Sequence, residues 1–330
     1  MLEHGGRLRD AAQKYNIALS LWLDLSTGIA PYTPKLATVS ADAWRRLPEL
    51  DDGLEAAACA FYSAPQLLPV AGSQAAIQAL PRLRKNQQVA IVSPAYAEHA
   101  AAWLREGHQV NEIEASAIDA YVGQVDVLVL INPGNPTGTF YSPQQLLGWH
   151  RQLAGRGGWL VVDEAFIDCT PELSVAAQTA KPGLIVLRSL GKFFGLAGAR
   201  LGFVLAEPKV LAALDAILGP WTISGPTRQI ASSVLADRPA QHLQRQRLLI
   251  DSARLQQLLT VNGLEPSGGC ALFQRVELAD AEQLHGFLAE RGVLVRLFNT
   301  PPGIRFGLPA DEPGWQRLAR GLSEFQQRYK

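Results

Sequence analysis

Cysteine is scarce in this chain: Cys59, Cys169 and Cys270 are the only three in 330 residues, far apart and without a CxxC pair. So odd and scattered a set offers neither a disulfide framework nor a cysteine metal site, and the expectation is a reducing compartment and no metal. Net charge is missing too, because thirty basic residues balance thirty acidic ones. That removes any general attraction to nucleic acid or to an anionic membrane, while leaving room for a local basic pocket. No apolar run approaches the roughly 18 residues of a membrane span. The opening Met1-Leu-Glu-His-Gly-Gly-Arg7 lacks the apolar stretch of a signal peptide. A soluble cytoplasmic protein is expected. What remains is the composition of a folded enzyme, 48% hydrophobic and 18% charged, in a chain long enough for about two domains.

One stretch organises the rest. Ser189-Leu-Gly-Lys-Phe-Phe-Gly-Leu-Ala-Gly-Ala-Arg200 sets Lys192 in a small-residue loop between two strand-like runs, Leu184 to Leu187 and Arg200 to Leu205. Its glycines let backbone approach a ligand closely. A lysine amine that is partly desolvated and placed near another cation, such as Arg200, loses its proton and becomes a nucleophile for carbonyl groups. A plain surface lysine in a glycine-rich loop accounts for this stretch equally well.

Upstream the pattern alternates between strand and helix. Leu67 to Val70 is predicted as a strand, Ala71-Gly72-Ser73 as a turn and Gln74 to Leu83 as a helix, an arrangement that suits a phosphate or serves as a simple cap. Val89 to Val92 runs into Ser93-Pro-Ala-Tyr96 and a helix over 97–106, so Tyr96 lies just past a strand end. Val125 to Ile131 precedes Asn132-Pro-Gly-Asn-Pro-Thr-Gly138, a rigid loop that offers the Asn135 amide. Trp159 to Asp163 ends in an acid that needs a partner: a protonated ring nitrogen, a helix cap or an ion pair. About seven strands between Leu67 and Leu205, joined mainly by helices, predict an α/β fold with a doubly wound, mostly parallel sheet. A smaller α/β unit should follow, with a helix over 241–261, strands at 270–276, 294–298 and 304–307, and helices at 281–291 and 313–329. The expected organisation is an arm over 1–40 packing with the small domain, a large domain over 41–222 and a small domain over 223–330. A short strand within 21–25 belongs to the arm.

Asn135 in NPGNPTG, Asp163 in VVDEAF, and Ser189, Lys192 and Arg200 resemble, in order and spacing, the fold-type-I pyridoxal-phosphate enzymes of the class I/II aminotransferase family. The resemblance implies an aspartate-aminotransferase-like fold, pyridoxal 5'-phosphate as cofactor and a homodimer. It assigns Lys192 to the covalent link with the cofactor, Asp163 to the ring nitrogen, Asn135 to the phenolic oxygen and Tyr96 to stacking on the ring. Ser189, Arg200 and the turn Gly72-Ser73-Gln74 would hold the cofactor phosphate. Arg305 in Gly303-Ile-Arg-Phe-Gly307 would take the substrate carboxylate, a task suited to an arginine fork.

His4-Gly5-Gly6, Asp24-Leu-Ser26, Asp163 to Asp168 and Gly268-Gly269 narrow the resemblance to the threonine-phosphate decarboxylase and histidinol-phosphate aminotransferase branches. The implied activity is decarboxylation of L-threonine O-3-phosphate to (R)-1-amino-2-propanol phosphate in cobalamin biosynthesis. Transamination of a phosphorylated amino acid and a weakly catalytic cofactor-binding role are the alternatives. His4, with Gly5 and Gly6, and Arg296 are candidates for the substrate phosphate, although Arg296 is equally readable as a strand-edge ion pair. Five positions depart from the pattern. Gly28 and Ala30 replace asparagines, Leu47 a tyrosine that reaches the partner subunit's cofactor phosphate, Phe166 a tyrosine, and Gly191 a serine or threonine. Each implies fewer hydrogen bonds to cofactor or substrate.

Overall fold

The computed structural model describes residues 5–329. Two compact units emerge, one from the chain up to Tyr32, Pro136–Thr139 and the chain from Gln246 onward, the other from Thr33–Asn135 and Phe140–Arg245. The first unit opens with a helix, Leu8–Tyr15, and a short strand, β1 (Leu23–Asp24).

The second unit holds the large sheet. Its strands are β2 (Leu68–Val70), β3 (Gln88–Val92), β4 (Gln109–Ile113), β5 (Val127–Ile131), β6 (Trp159–Asp163), β7 (Leu184–Ser189) and β8 (Gly202–Leu205). They lie in the order β2-β8-β7-β6-β5-β3-β4. All neighbours are parallel except at β8, which runs antiparallel to both β2 and β7. The doubly wound, mostly parallel sheet of seven strands is therefore present. Every residue of β5, β6 and β7 is buried, and all but Asp163, Arg188 and Ser189 at the strand ends are apolar, as a sheet covered on both faces requires. Between β5 and β6 runs the helix Pro143–Ala154, started by a capping box in which Ser142 and Gln145 bond reciprocally. β4 carries no such apolar signature. Gln109-Val-Asn-Glu-Ile113 is an edge strand paired with β3 alone, largely exposed, and no strand was predicted there.

The first unit continues with helices Ala281–Ala289 and Glu312–Tyr329 and an antiparallel sheet, β9 (Gly268–Cys270), β10 (Phe273–Glu277), β12 (Arg296–Asn299) and β13 (Pro302–Gly307), with β11 (Val293–Leu294) pairing in parallel with β1. Two single strands expected here are each divided. The chain expected to run straight over 270–276 folds back at Ala271-Leu272, so that Phe273 pairs with Cys270. The stretch 294–298 splits at Val295, one part pairing with β1 and the other with β13. Thr137-Gly138 packs on this hairpin by backbone alone. A Cβ on Gly138 would stand 2.1 Å from the Gly269 nitrogen, and one on Gly268 would stand 2.0 Å from the Thr137 oxygen.

In the second unit, Arg228 fastens helix Gly225–Ala236 to the start of helix Leu54–Tyr62. Its buried guanidinium donates to both Asp52 oxygens at 2.6 Å and to Glu55 Oε2 at 2.8 Å. Burial pushes the Asp52 carboxyl up, but the bonds from Arg228 outweigh it and the net shift is downward. A carboxyl depressed by folding adds stability that is complete above its unfolded value, about 3.9, and is lost as pH falls through the folded value. Arg228→Ala should cost about 2 kcal/mol near neutral pH and lower Tm by several degrees. The gap to wild type should narrow below about pH 4, as thermal melts across pH would show.

Candidate active site

The carboxyl ends of the parallel strands deliver the side chains singled out in the sequence. Tyr96 follows β3, Asn135 follows β5, Asp163 ends β6, Ser189 ends β7, and Lys192 sits in the helical turn Leu190–Phe193 just beyond. Between β3 and β5 the strand order reverses, since the chain goes out to β4 and returns on the other side of β3. Ligands of open α/β sheets collect at such a point.

Asp163 is only 5% exposed, and a buried carboxylate needs donors. Two are supplied. Its Oδ2 lies 3.0 Å from His99 Nε2, and its Oδ1 accepts the Ala165 N–H at 3.0 Å. His99 is itself 2% exposed and stands three residues after Tyr96, at the start of helix Glu98–Arg105, its ring edge-on to the Tyr96 ring. The sequence reading missed His99. Nothing in the spacing marks it, because Tyr96 precedes the helix and a histidine on a helix face does not show which carboxylate it meets.

Tyr96 is held by Gln74, whose Oε1 accepts from the phenol at 3.0 Å while its Nε2 donates to Glu98 at 2.9 Å. Burial first, then the charges of Glu98 and Asp163, push the Tyr96 phenol up to about 12, so it keeps its proton at neutral pH. The loop carrying Asn135 is pinned by Asn132. The Asn132 backbone N–H donates to the Asp163 carbonyl at 2.9 Å, and its side-chain amide pairs with the Tyr141 backbone in both directions. Lys192 Nζ lies 5.5 Å from the centre of the buried Phe166 ring. Gly191 has no room for the serine or threonine of the family pattern, since a Cβ there would stand 2.9 Å from Ala197 Cα.

Gly72, Ser73, Ser189 and Arg200 converge on Gly202. This residue pairs with Val70 on one side and Ser189 on the other. A Cβ on Gly202 would come within 2.5 Å of the Ser73 nitrogen, and one on Gly72 within 2.7 Å of Arg200 Nη2. Two missing side chains thus leave a cradle lined by a backbone N–H and a guanidinium, which are the donors an anion needs.

The remaining candidates lie in the first unit. Gly6 donates its N–H to Ser26 Oγ at 2.8 Å, Gly5 packs against the Ser26 carbonyl, and Arg305 Nη2 donates to that same carbonyl at 2.9 Å. Arg296 is the strand partner of Arg305. Burial, aided by the charge of Arg296, brings the Arg305 guanidinium down to about 10, still protonated at neutral pH. His4 lies outside the described residues.

An amine, a buried acid, a planar neighbour and an anion cradle are what pyridoxal 5'-phosphate requires, and the residues present fit that group. Fold and site together define a fold-type-I pyridoxal-phosphate enzyme. The family model for class I and II aminotransferases matches residues 36–326, and the chain belongs to that family. It is 57% identical to the threonine-phosphate decarboxylase of Pseudomonas aeruginosa over 99% of each chain. It is 40% identical to that of a Sinorhizobium species over 98% of each. Among solved structures it is similar to histidinol-phosphate aminotransferase from Sinorhizobium meliloti in complex with pyridoxal-5'-phosphate. The TM-score is 0.86 at 19% identity, covering 100% of this chain and 96% of the other. Among the described residues no helix is long and apolar enough to cross a membrane.

His99→Phe removes a donor from a buried carboxylate, a loss of about 1.5–3 kcal/mol. Cofactor affinity should therefore fall about 10- to 100-fold, measured by spectral titration of the apoprotein with pyridoxal phosphate.

Proposed function

We propose that this protein decarboxylates L-threonine O-3-phosphate, releasing carbon dioxide and (R)-1-amino-2-propanol phosphate, as a cytoplasmic homodimer. The observation that carries the proposal is the likeness to the Pseudomonas aeruginosa threonine-phosphate decarboxylase, 57% identical over 99% of this chain. It extends beyond the family match, which begins at residue 36, into the arm where Gly5, Gly6 and Ser26 pack beside Arg305. Trp44, Leu47, Leu50 and Trp221 are large exposed apolar side chains of the second unit and support a subunit contact there.

When bound, pyridoxal phosphate supplies an electron sink for charge left at the substrate Cα. The protein's part is to hold, orient and move protons. Asp163, oriented by His99 and the Ala165 N–H, would hold the proton on the ring nitrogen. Asn135 would hydrogen-bond the phenolic oxygen and Tyr96 would cover the ring face. Gly72, Ser73, Gln74, Ser189 and Arg200 would take the cofactor phosphate. Arg305 and Arg296 receive the substrate's anionic groups, which charge-assisted forks bind strongly. As the bond from Cα to the carboxylate breaks, its electron pair stays behind and carbon dioxide leaves. Lys192 Nζ then returns one proton to Cα.

Transamination would use the same residues, with Lys192 moving the Cα proton instead. Product analysis separates the two. With threonine phosphate the expected result is carbon dioxide without keto acid, and steady keto-acid formation in a 2-oxoglutarate-coupled assay would move the assignment to an aminotransferase. Borohydride should fix the cofactor to Lys192, and Lys192→Ala should abolish both that link and turnover. Labelling of any other lysine would overturn the assignment. Loss of one charge-assisted contact to phosphate, about 1.5–3 kcal/mol, should make Arg296→Ala about 10- to 100-fold slower on threonine phosphate. Binding of unphosphorylated threonine should change little.

A further inference from the structure

Three strands of the first unit carry an arginine at one register position. Arg275 on β10 lies opposite Arg305 on β13, and Arg305 lies opposite Arg296 on β12. Residues directly opposite across antiparallel strands project from the same face, so the three guanidinium groups form a row across the sheet. Like charges so placed repel and destabilise the sheet. The row is nevertheless drawn away from water, with Arg275 1% and Arg305 6% exposed.

Phe298 occupies the same face, two residues beyond Arg296 and opposite Gly303, which leaves room for its ring. The ring centre lies 5.3 Å from the Arg296 guanidinium carbon, 5.5 Å from that of Arg275 and 6.0 Å from that of Arg305. A single aromatic quadrupole thus gathers three cations. Glu277, on the same face and half exposed, sits 3.2 Å from Arg275 Nη2 and offsets part of one charge. Concentrating cations in this way makes physical sense where a polyanion relieves the repulsion. A phosphorylated amino acid brings one carboxylate charge and about 1.5 to 2 phosphate charges, close to the three on the row.

We infer that Arg275 is a positioning residue that gives the substrate site its preference for a phosphorylated over an unphosphorylated amino acid. This rests on the decarboxylase proposal above. Arg275 does not reach the substrate itself. Its Nε and Nη1 are closed off from solvent, and its Nη2 donates to the Pro301 carbonyl at 3.1 Å and to Glu277. It acts instead through its charge beside Arg305 and by backing the Phe298 ring against which Arg296 and Arg305 lie.

The test uses holoenzyme carrying Arg275→Gln or Arg275→Lys. For Arg275→Gln, KM for threonine phosphate and the inhibition constant of inorganic phosphate should each rise about tenfold. The kcat and the inhibition constant of L-threonine should stay within about twofold of wild type. Arg275→Lys, which keeps the charge, should recover most of the loss. Equal weakening for threonine and its phosphate, a fall in kcat with KM unchanged, no change, or a lysine variant as impaired as the glutamine one would each overturn the inference. If Arg275→Gln does not fold, Phe298→Leu against Phe298→Tyr reads the same plate, since only the tyrosine should keep the preference for phosphate. Absence of carbon dioxide from wild type would sink the decarboxylase reading alone. Calorimetric titration with threonine phosphate and threonine would still decide the role of Arg275.

Discussion

One reversed strand and one missing side chain set the geometry on which the cofactor cradle depends. β8 runs against its neighbours, so its beginning, not its end, lies at the edge where the parallel strands terminate. That reversal carries Arg200, two residues before Gly202, to the same edge as Ser189. It also requires a residue without a Cβ at 202, because the backbone of Gly72-Ser73 crosses there within contact distance. The left-handed conformation of Arg200, φ 52°, is part of the same turn, and few side chains other than glycine accept it cheaply. Placement of the anion-binding groups is therefore a matter of backbone approach before it is one of side-chain chemistry.

The end of β6 shows how adjacent residues divide the work between function and support. Asp163 turns to His99. Glu164 turns to a cluster in which buried Arg188 joins it with buried Asp168 and half-buried Ser174. Burial raises the Glu164 and Asp168 carboxyls, and the Arg188 guanidinium opposes that rise. Arg188 immediately precedes Ser189, and its guanidinium also lies over the Tyr62 ring. The same cluster that fills the interior thus fixes the ends of β6 and β7, from which the acid and the amine of the site emerge. Removing one member of such a buried set leaves an uncompensated charge, so its value is better judged by specificity of structure than by net stability.

Much of this was legible in the sequence, for physical reasons that also explain what was not. β5 and β6 read clearly because strands buried on both faces must be continuously apolar. The positions of Asn135, Asp163 and Lys192 at the strand ends were legible because prolines, glycines and a strand-terminal acid leave few conformational options. β4 was hidden because an edge strand bears polar residues, and the β9–β10 hairpin because its turn falls at Ala271-Leu272, without glycine, proline or asparagine to mark it. His99 was hidden by an even simpler fact, since a histidine on a helix gives no hint of which carboxylate it will meet. The arginine row was beyond reach for a related reason. Arg275, Arg296 and Arg305 are brought opposite one another by strand register, which the sequence encodes only through the pairing of whole strands.

The contact between Gly191 and Ala197 bears on how this active site can change over generations. A side chain cannot enter at 191 unless the turn at Ala197–Ala199 moves, and that turn leads directly into Arg200. A serine at 191, the residue the family pattern favours, would press on the turn that leads to Arg200, nine positions away. A change at 191 therefore calls for a compensating change in the turn at 197–199, which couples two places that are apart in the chain.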